Sequence, residues 1–294
     1  MDIMAKKKIF FGISIAVILV GIVSMLIFGL NEDIDFAGGT EMHVRIGKAF
    51  NNEDIRSITT DVIGFEPSSI QKTGDGFEVI IKMKDISSAK RDELFKAIKE
   101  KYGLEDSALL TADTVSPTVG SELRYNAFLS ALIASVLMLV YISFRFELKS
   151  GVAAVIALIH DVLVMMSVYA IFRIPINTSF IAAILTILGY SINDTIIIFD
   201  RIRENKKYMR KEKFSEIANK SIWQSMPRSV NTALTTLLTI TMLYILGVRS
   251  IKEFAFPIII GLISGTYSSI FLASPIWVIW QEWEDKKKSR VKTA

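Results

Sequence analysis

The residues able to do chemistry are few and stand in costly places. Asn193 and Asp194 interrupt an apolar run in "GYSINDTIIIFDRIREN" (Gly189 to Asn205), His160 and Asp161 interrupt another in "ALIHDVL", and Arg228 opens a third. Inserting Asp or Arg at the centre of a membrane helix costs roughly 2.5–3.5 kcal/mol, so such residues point first to proton or ion pathways and otherwise to polar clamps between helices. Asp194 precedes Arg201 by seven residues, about 10 Å of helical rise inside that basic boundary. Arg228 begins the helix that returns from the same boundary, and its long side chain reaches inward. Together they would set one acceptor against one permanent cation in a hydrated cavity. Tyr190 and Ser191 share the Asp194 side of their helix. Arg228, Thr232, Thr235 and Thr239 recur every three or four residues, a stripe that either holds water or hydrogen-bonds across tightly packed helices, where Gly261 and Gly265 of "GLISG" would also pack. Asp161, beside His160, suits a relay or a buried hydrogen bond equally. Asp200, with Arg201 and Arg203, reads as a helix-end charge cluster.

Composition narrows the chemistry. The chain has 294 residues, 51% of them hydrophobic, with a mean hydropathy of +0.42 and a charged fraction of 22% concentrated in patches. That is a membrane protein with a polar domain attached. Cysteine is absent and only His43 and His160 are present, which removes disulfides and thiolate sites and argues against zinc. The net charge of +4 comes from Lys and Arg flanking apolar segments, as at membrane boundaries, so nucleic acid is not an expected partner. Two intramembrane aspartates raise an aspartyl protease, but such enzymes carry G-x-G-D where this chain has "GYSIND". No HExxH, G-x-S-x-G or G-x-x-x-x-G-K-[ST] occurs, so a non-enzyme without a cofactor is expected, with H+ or Na+ as the coupling ion. A lone carboxylate with neighbouring Asn, Ser or Thr oxygens serves either ion, which makes Asn193 a candidate beside Asp194.

The elements that must position these groups follow from hydropathy. An apolar run at 9–30 behind Lys6, Lys7 and Lys8 reads as a retained signal-anchor helix. Further apolar runs at 127–144, 152–172, 174–199, 230–248 and 254–280 bring the total to six spans. Lys and Arg favour one side: the N-terminus, Arg145 and Lys149, the 201–228 connection, and a tail with Lys286, Lys287, Lys288, Arg290 and Lys292; the opposite short loops hold Arg173, Arg249 and Lys252. Both termini are expected to be cytoplasmic. The organisation is then a cytoplasmic N-terminus (1–8), transmembrane helix 1 (9–30), an extracytoplasmic domain (31–122), transmembrane helices 2–6 (123–281) with a basic cytoplasmic loop at 201–228 that contacts lipid headgroups, and a cytoplasmic tail (282–294). Trp277, Trp280 and Trp283 fit an interfacial aromatic belt.

Within 31–122, "GTEMHVRIG" alternates like a strand, "NEDIRSITTDVIGF" has helical spacing, and "SIQKTGDGFEVIIKM" reads as two strands around a "TGDG" turn. "SAKRDELFKAIKEKYG" is an amphipathic helix ending at Gly103, and "ALLTADTVS" a final strand. The order βαββαβ predicts a ferredoxin-like sandwich. The fold class is an α-helical polytopic membrane protein with six transmembrane helices and one small α+β extracytoplasmic domain.

"DFAGGT" (Asp35 to Thr40), "ALIHDVL", "GYSINDTIIIFDRIREN", "RSVNTALTT" and "GTYSSIFLASP" together resemble the SecF family, the smaller membrane subunits of the SecDF protein-export factor within the resistance-nodulation-division superfamily. The likeness spans nearly the whole chain. It implies an auxiliary role in the Sec pathway: with a separate SecD and the SecYEG channel, the proton gradient, or sodium in some relatives, helps to draw an unfolded preprotein outward. By the family motif Asp194 would carry the proton and Arg228 would be its partner, with Asp161 a further candidate for the relay. Asp35, Gly38 and Gly39 of "DFAGGT" would transmit motion from the first helix to the domain, paired glycines permitting a tight turn or close backbone approach. Competing readings are a small-molecule or lipid exporter of the same superfamily and a purely structural translocon assembly factor.

Overall fold

The structure is a computed structural model that describes residues 2–145 and 147–293; Met1, Phe146 and Ala294 lie outside the described residues, as do the side chains of Arg145, Arg249 and residues 288–293. Of the basic residues used above for orientation, Arg145, Arg249, Lys288, Arg290 and Lys292 therefore carry no side-chain description. The chain divides into a helical unit, Met1–Asn31 with Ala127–Ala294, and a sheet unit, Glu32–Asn126.

The sheet unit opens with a one-turn helix α2 (Ile34–Ala37) and continues as β1 (Gly39–Arg45), α3 (Asn52–Ile63), β2 (Ser69–Thr73), β3 (Glu78–Met83), α4 (Ser88–Tyr102) and β4 (Leu109–Val115). The four strands are antiparallel in the order β2-β3-β1-β4, the ferredoxin-like arrangement that the βαββαβ order predicts. Alternation sets the faces: Met42, Val44, Val79, Ile81 and Met83 point into a core closed by Ile55 and Ile63 of α3 and Leu94 and Ile98 of α4. Caps fix both helices. Asn51 accepts from Glu53 N and Ser87 from Lys90 N, while Gly64 and Gly103 end their helices in the left-handed region.

The helical unit contains α1 (Lys7–Phe28), most of α5 (Pro117–Arg145), α6 (Leu148–Ile171), α7 (Thr178–Tyr208), α8 (Phe214–Leu246), α9 (Arg249–Ser268) and α10 (Ser274–Thr293), the last two joined by a π turn at Ser269–Ala273. Among the described residues, six helical stretches are long and apolar enough to cross a membrane, α9 and α10 counting as one continuous span. The packed centre comes from α6, α7, α9 and α10; α1, α5 and α8 leave most of their apolar surface on the outside. Close approaches depend on small residues: a Cβ on Gly21 would lie 2.0 Å from Ser167 Oγ, and one on Gly151 would lie 2.6 Å from Ser143 Oγ. Arg173 takes a positive φ of 54° and donates to the Phe28 and Gly29 carbonyls at 3.0 and 2.6 Å, capping the end of α1.

Two expectations need correction. The 201–228 segment is helical rather than a loop, except for a short connection between Tyr208 and Phe214. Lys, Arg and Glu are good helix formers, and hydropathy marks only where a helix leaves the apolar zone. Ile202, Ile217, Ala218 and Ile222 are buried there, and Asn205 Nδ2 donates to Ser221 Oγ and Gln224 Oε1, both at 2.8 Å. Trp277 is a core residue rather than part of a belt: it is 3% exposed and lies edge-on to Phe199 and Phe214. The N-terminal segment is also anchored, with Ile3 and Met4 buried and Ile3 N donating to Asn219 Oδ1 at 2.9 Å.

Candidate functional site

α7 carries the site because it runs between two kinds of neighbour. Its start is fixed by Asn177, whose side chain accepts from Phe180 N and donates to Glu253. On one side it packs against α9, where a Cβ on Gly261 would lie 2.5 Å from Ile187 Cγ1 and one on Gly265 would lie 2.9 Å from Ser191 Cβ. On another side it meets α8, where Tyr190 Oη donates to the Thr232 carbonyl at 3.0 Å and pairs with Thr236 Oγ1 at 2.6 Å.

Asp161 of α6 is completely buried. Ser264 donates to its Oδ1 at 2.7 Å, Ser191 to Oδ2 at 2.7 Å and Ser268 to Oδ2 at 2.9 Å, with His160 Nδ1 at 3.1 Å from Oδ1. The π turn follows at once. A π turn adds a residue to the helical repeat and re-aims the side chains that follow, and here Ser269 Oγ meets the Ser191 carbonyl at 3.3 Å and Thr195 Oγ1 at 2.8 Å.

Asp194 lies three residues beyond Ser191 and faces elsewhere. It is 2% exposed, with the Ser229 hydroxyl beside its carboxyl and the Arg228 guanidinium near enough to act on it electrostatically. No Asp194–Arg228 contact falls within ion-pair distance among the described residues. Ser229 Oγ and Asp194 Oδ1 are both buried without a well-formed hydrogen bond. Pro227, inside α8, has no N–H to give, so the ladder of that helix lacks one bond immediately before Arg228 and Ser229.

The structure leaves Asp194 and Arg228 beyond ion-pair distance of one another, places neither among the groups bonded to Asp161, and leaves Asn193 exposed on another face of α7. In the threonine stripe of α8, Thr235 and Thr239 are exposed and Thr232 is half-buried. Thr232, Thr235 and Thr239 bond to carbonyls of their own helix, and it is Thr236, outside the stripe, that pairs with α7. Asp35, Gly38 and Gly39 belong to the sheet unit. Gly38 has φ +74° and a Cβ there would lie 2.9 Å from Pro117 Cα; Gly39 has φ +144° and a Cβ would lie 2.5 Å from the Met83 carbonyl oxygen. Both positions are closed to side chains by conformation and by space. Asp35 is half-buried in the first turn of α2. Sequence reasoning missed Ser229, Ser264 and Ser268. Their signal was present in the serines flanking Gly265 in "ISGTYSS" and in the hydroxyl next to Arg228, but hydroxyls in membrane helices are too common to single out.

Residues 95–283 match the family described as protein export membrane protein SecD/SecF, C-terminal. The chain is 36% identical to the protein translocase subunit SecF of Alicyclobacillus acidocaldarius, over 98% of this chain and 96% of that one. It is 37% identical to the protein translocase subunit SecDF of Bacillus subtilis over 98% of its own length, spanning 39% of that longer protein. The crystal structure of SecDF from Thermus thermophilus, described as a translocon-associated membrane protein, superposes with a TM-score of 0.86 at 34% identity, covering 96% of this chain and 39% of that one. The chain is a multi-pass membrane protein that belongs to the SecD/SecF family of protein-export membrane proteins.

Proposed function

We propose that this protein is the SecF-type subunit of a Sec protein translocase and that it uses a proton gradient, or a sodium gradient, to promote preprotein export through Asp194. The carrying observation is the contrast between two buried carboxyls: Asp161 is ringed by three serine hydroxyls and His160, whereas Asp194 Oδ1 is buried near Ser229 and Arg228 without a well-formed hydrogen bond. A carboxyl oxygen not committed to accepting hydrogen bonds is available to a proton. When it takes one, its attraction to Arg228 falls and α7 and α8 repack, which biases a motion of the sheet domain that grips or releases the preprotein. One elementary charge crossing 100 mV supplies about 2.3 kcal/mol, enough for a ratchet step. A separate SecD and the SecYEG channel are the proposed partners, with both termini in the cytoplasm of a prokaryote and the sheet domain outside its inner membrane.

The test is gradient-driven export into vesicles that hold the full complex, comparing wild type with Asp194→Asn. The expected result is loss of the gradient-dependent part of export at unchanged complex abundance. Unchanged export would sink the coupling reading, and failure of the complex to assemble would favour a structural role. Replacing the proton gradient with a sodium gradient identifies the ion.

A further inference from the structure

Asp161 has a donor set that suits one ionisation state. Oδ1 faces Ser264 Oγ and His160 Nδ1, and Oδ2 faces Ser191 Oγ and Ser268 Oγ, at 2.7, 3.1, 2.7 and 2.9 Å respectively. With His160 in its Nδ1–H tautomer these are two donors for each oxygen, a full complement for a carboxylate. A protonated Asp161 would instead need an acceptor, and one of the four groups would have to turn its lone pair inward. Among the described residues Ser268 could do so by donating to the Gly265 carbonyl at 3.2 Å, and His160 by taking its Nε2–H tautomer. His160 is further held by ring contact with Tyr267, whose hydroxyl donates to the Phe10 carbonyl of α1 at 2.8 Å.

The same groups hold α7 in place. Ser191 gives its hydroxyl to Asp161 of α6 and its carbonyl to Ser269 in the π turn, while Thr195 Oγ1 pairs with Ser269 Oγ. Ser191 and Thr195 bracket Asp194, so the turn that carries Asp194 is tied to α6 and α9 on one side while Asp194 looks toward α8. Gly265 makes the tie sterically feasible, since a Cβ there would crowd Ser191 at 2.9 Å.

We propose that Asp161 is a positioning anion and not a proton carrier: its carboxylate fixes α7 at Ser191 to α6 and α9, and so presents Asp194 to α8. The inference rests on reading Asp194 as the carboxyl that changes state. α6, α7 and α9 then form the fixed frame, and α8 is the element that responds.

Dicyclohexylcarbodiimide tests this in the assembled complex in native membranes. A protonated carboxyl adds its O–H across one C=N bond of the reagent without a leaving group, and the O-acylurea rearranges to a stable N-acylurea that peptide mass spectrometry locates. The expected result is an adduct at Asp194 and none at Asp161. Ser264→Ala with Ser268→Ala removes one donor from each oxygen, and Asp161 becomes labelled. Asp161→Asn, which sets an NH2 against hydroxyl donors, is expected to change the Asp194 adduct yield severalfold. If Asp161→Asn does not accumulate, Ser191→Ala removes the tie on α7 alone and gives the same readout. An adduct at wild-type Asp161, its absence in the double-serine variant, or an Asp194 yield indifferent to these changes overturns the inference. The Asp194 reading fails separately, through gradient-driven export that survives Asp194→Asn.

Discussion

Lys82 of β3 gives the most exacting test of the sheet unit. Its side chain is 8% exposed and its ammonium lies 2.5 and 2.6 Å from the Asp33 carboxylate oxygens and 3.2 Å from Glu41 Oε2. Glu41 is its direct partner across the β1–β3 ladder, and Asp33 caps α2 by accepting from Ile34 N at 2.8 Å. Lys82→Met keeps the aliphatic stem and removes the cation that the Asp33 and Glu41 carboxylates share, in a space largely closed to water. Removing one partner of a buried pair costs about 3–5 kcal/mol, while replacing the whole charged group with neutral side chains is often near neutral. At about 1.4 kcal/mol per tenfold, the opening equilibrium of the sheet rises by about two to four orders of magnitude. The assay is amide hydrogen exchange at β1 and β3 in the purified full chain. Combining Lys82→Met with Asp33→Asn and Glu41→Gln is expected to restore most of the protection. A single-variant loss below about tenfold, or a triple variant no better than the single, would show that packing of the lysine stem matters here and the charge balance does not.

Gly265→Ala forces α7 and α9 apart at Ser191 and is expected to lower the stability of the purified chain by about 1–3 kcal/mol in thermal unfolding. Gly189→Ala, on α7 with open space around it, is its control and should be neutral or stabilising by up to about 1 kcal/mol. Leu94→Ala empties a fully buried position in the sheet unit and should cost about 2–5 kcal/mol, read by denaturant unfolding of the sheet. At Glu78, burial opposes ionisation, but hydrogen bonds from Arg45 and His43 and their charges outweigh it and hold the carboxyl below its ordinary value of 4.5. Its folded-state value being depressed, Glu78 stabilises the sheet unit above pH 4.5 and that contribution is lost as pH falls through the folded value. Glu78→Gln should flatten the acid limb of a stability-versus-pH curve, and an unchanged slope would contradict the assignment.

The sheet unit was legible because each element is read from a local signal. Alternation in "GTEMHVRIG", the turn in "TGDG" and glycine stops at Gly64 and Gly103 are short-range facts, and short-range facts suffice for a βαββαβ order. The helical unit shows where such reading stops. Hydropathy located the apolar parts of α7 and α8 but could not see that Ile202, Ile217 and Ile222 continue a packed seam through a basic stretch, because it registers the flanking charged residues as polar whether they lie in a helix or in a loop. Trp277 is a similar case. Sequence gives it the company of Trp280 and Trp283, and only packing against Phe199 and Phe214 separates it from them.

For the two intramembrane aspartates the difference is one of counting donors, which no single-chain periodicity supplies. Asp161 and Asp194 look alike in sequence: each is an acid in an apolar run with a polar residue before it. In the folded chain Asp161 meets three serines, two of them on α9, a helix about a hundred residues further on, and one on α7 that Gly265 allows to come close. Asp194 meets an exposed guanidinium and a serine whose hydroxyl makes no well-formed bond. Burial alone therefore does not mark a coupling carboxyl, since both are buried. What separates them is whether the surroundings satisfy one charge state completely. On the reading proposed above, Asp161, with its ring of donors, is the scaffold, and Asp194, beside Ser229 and near Arg228, is the carboxyl on which an ion gradient would act.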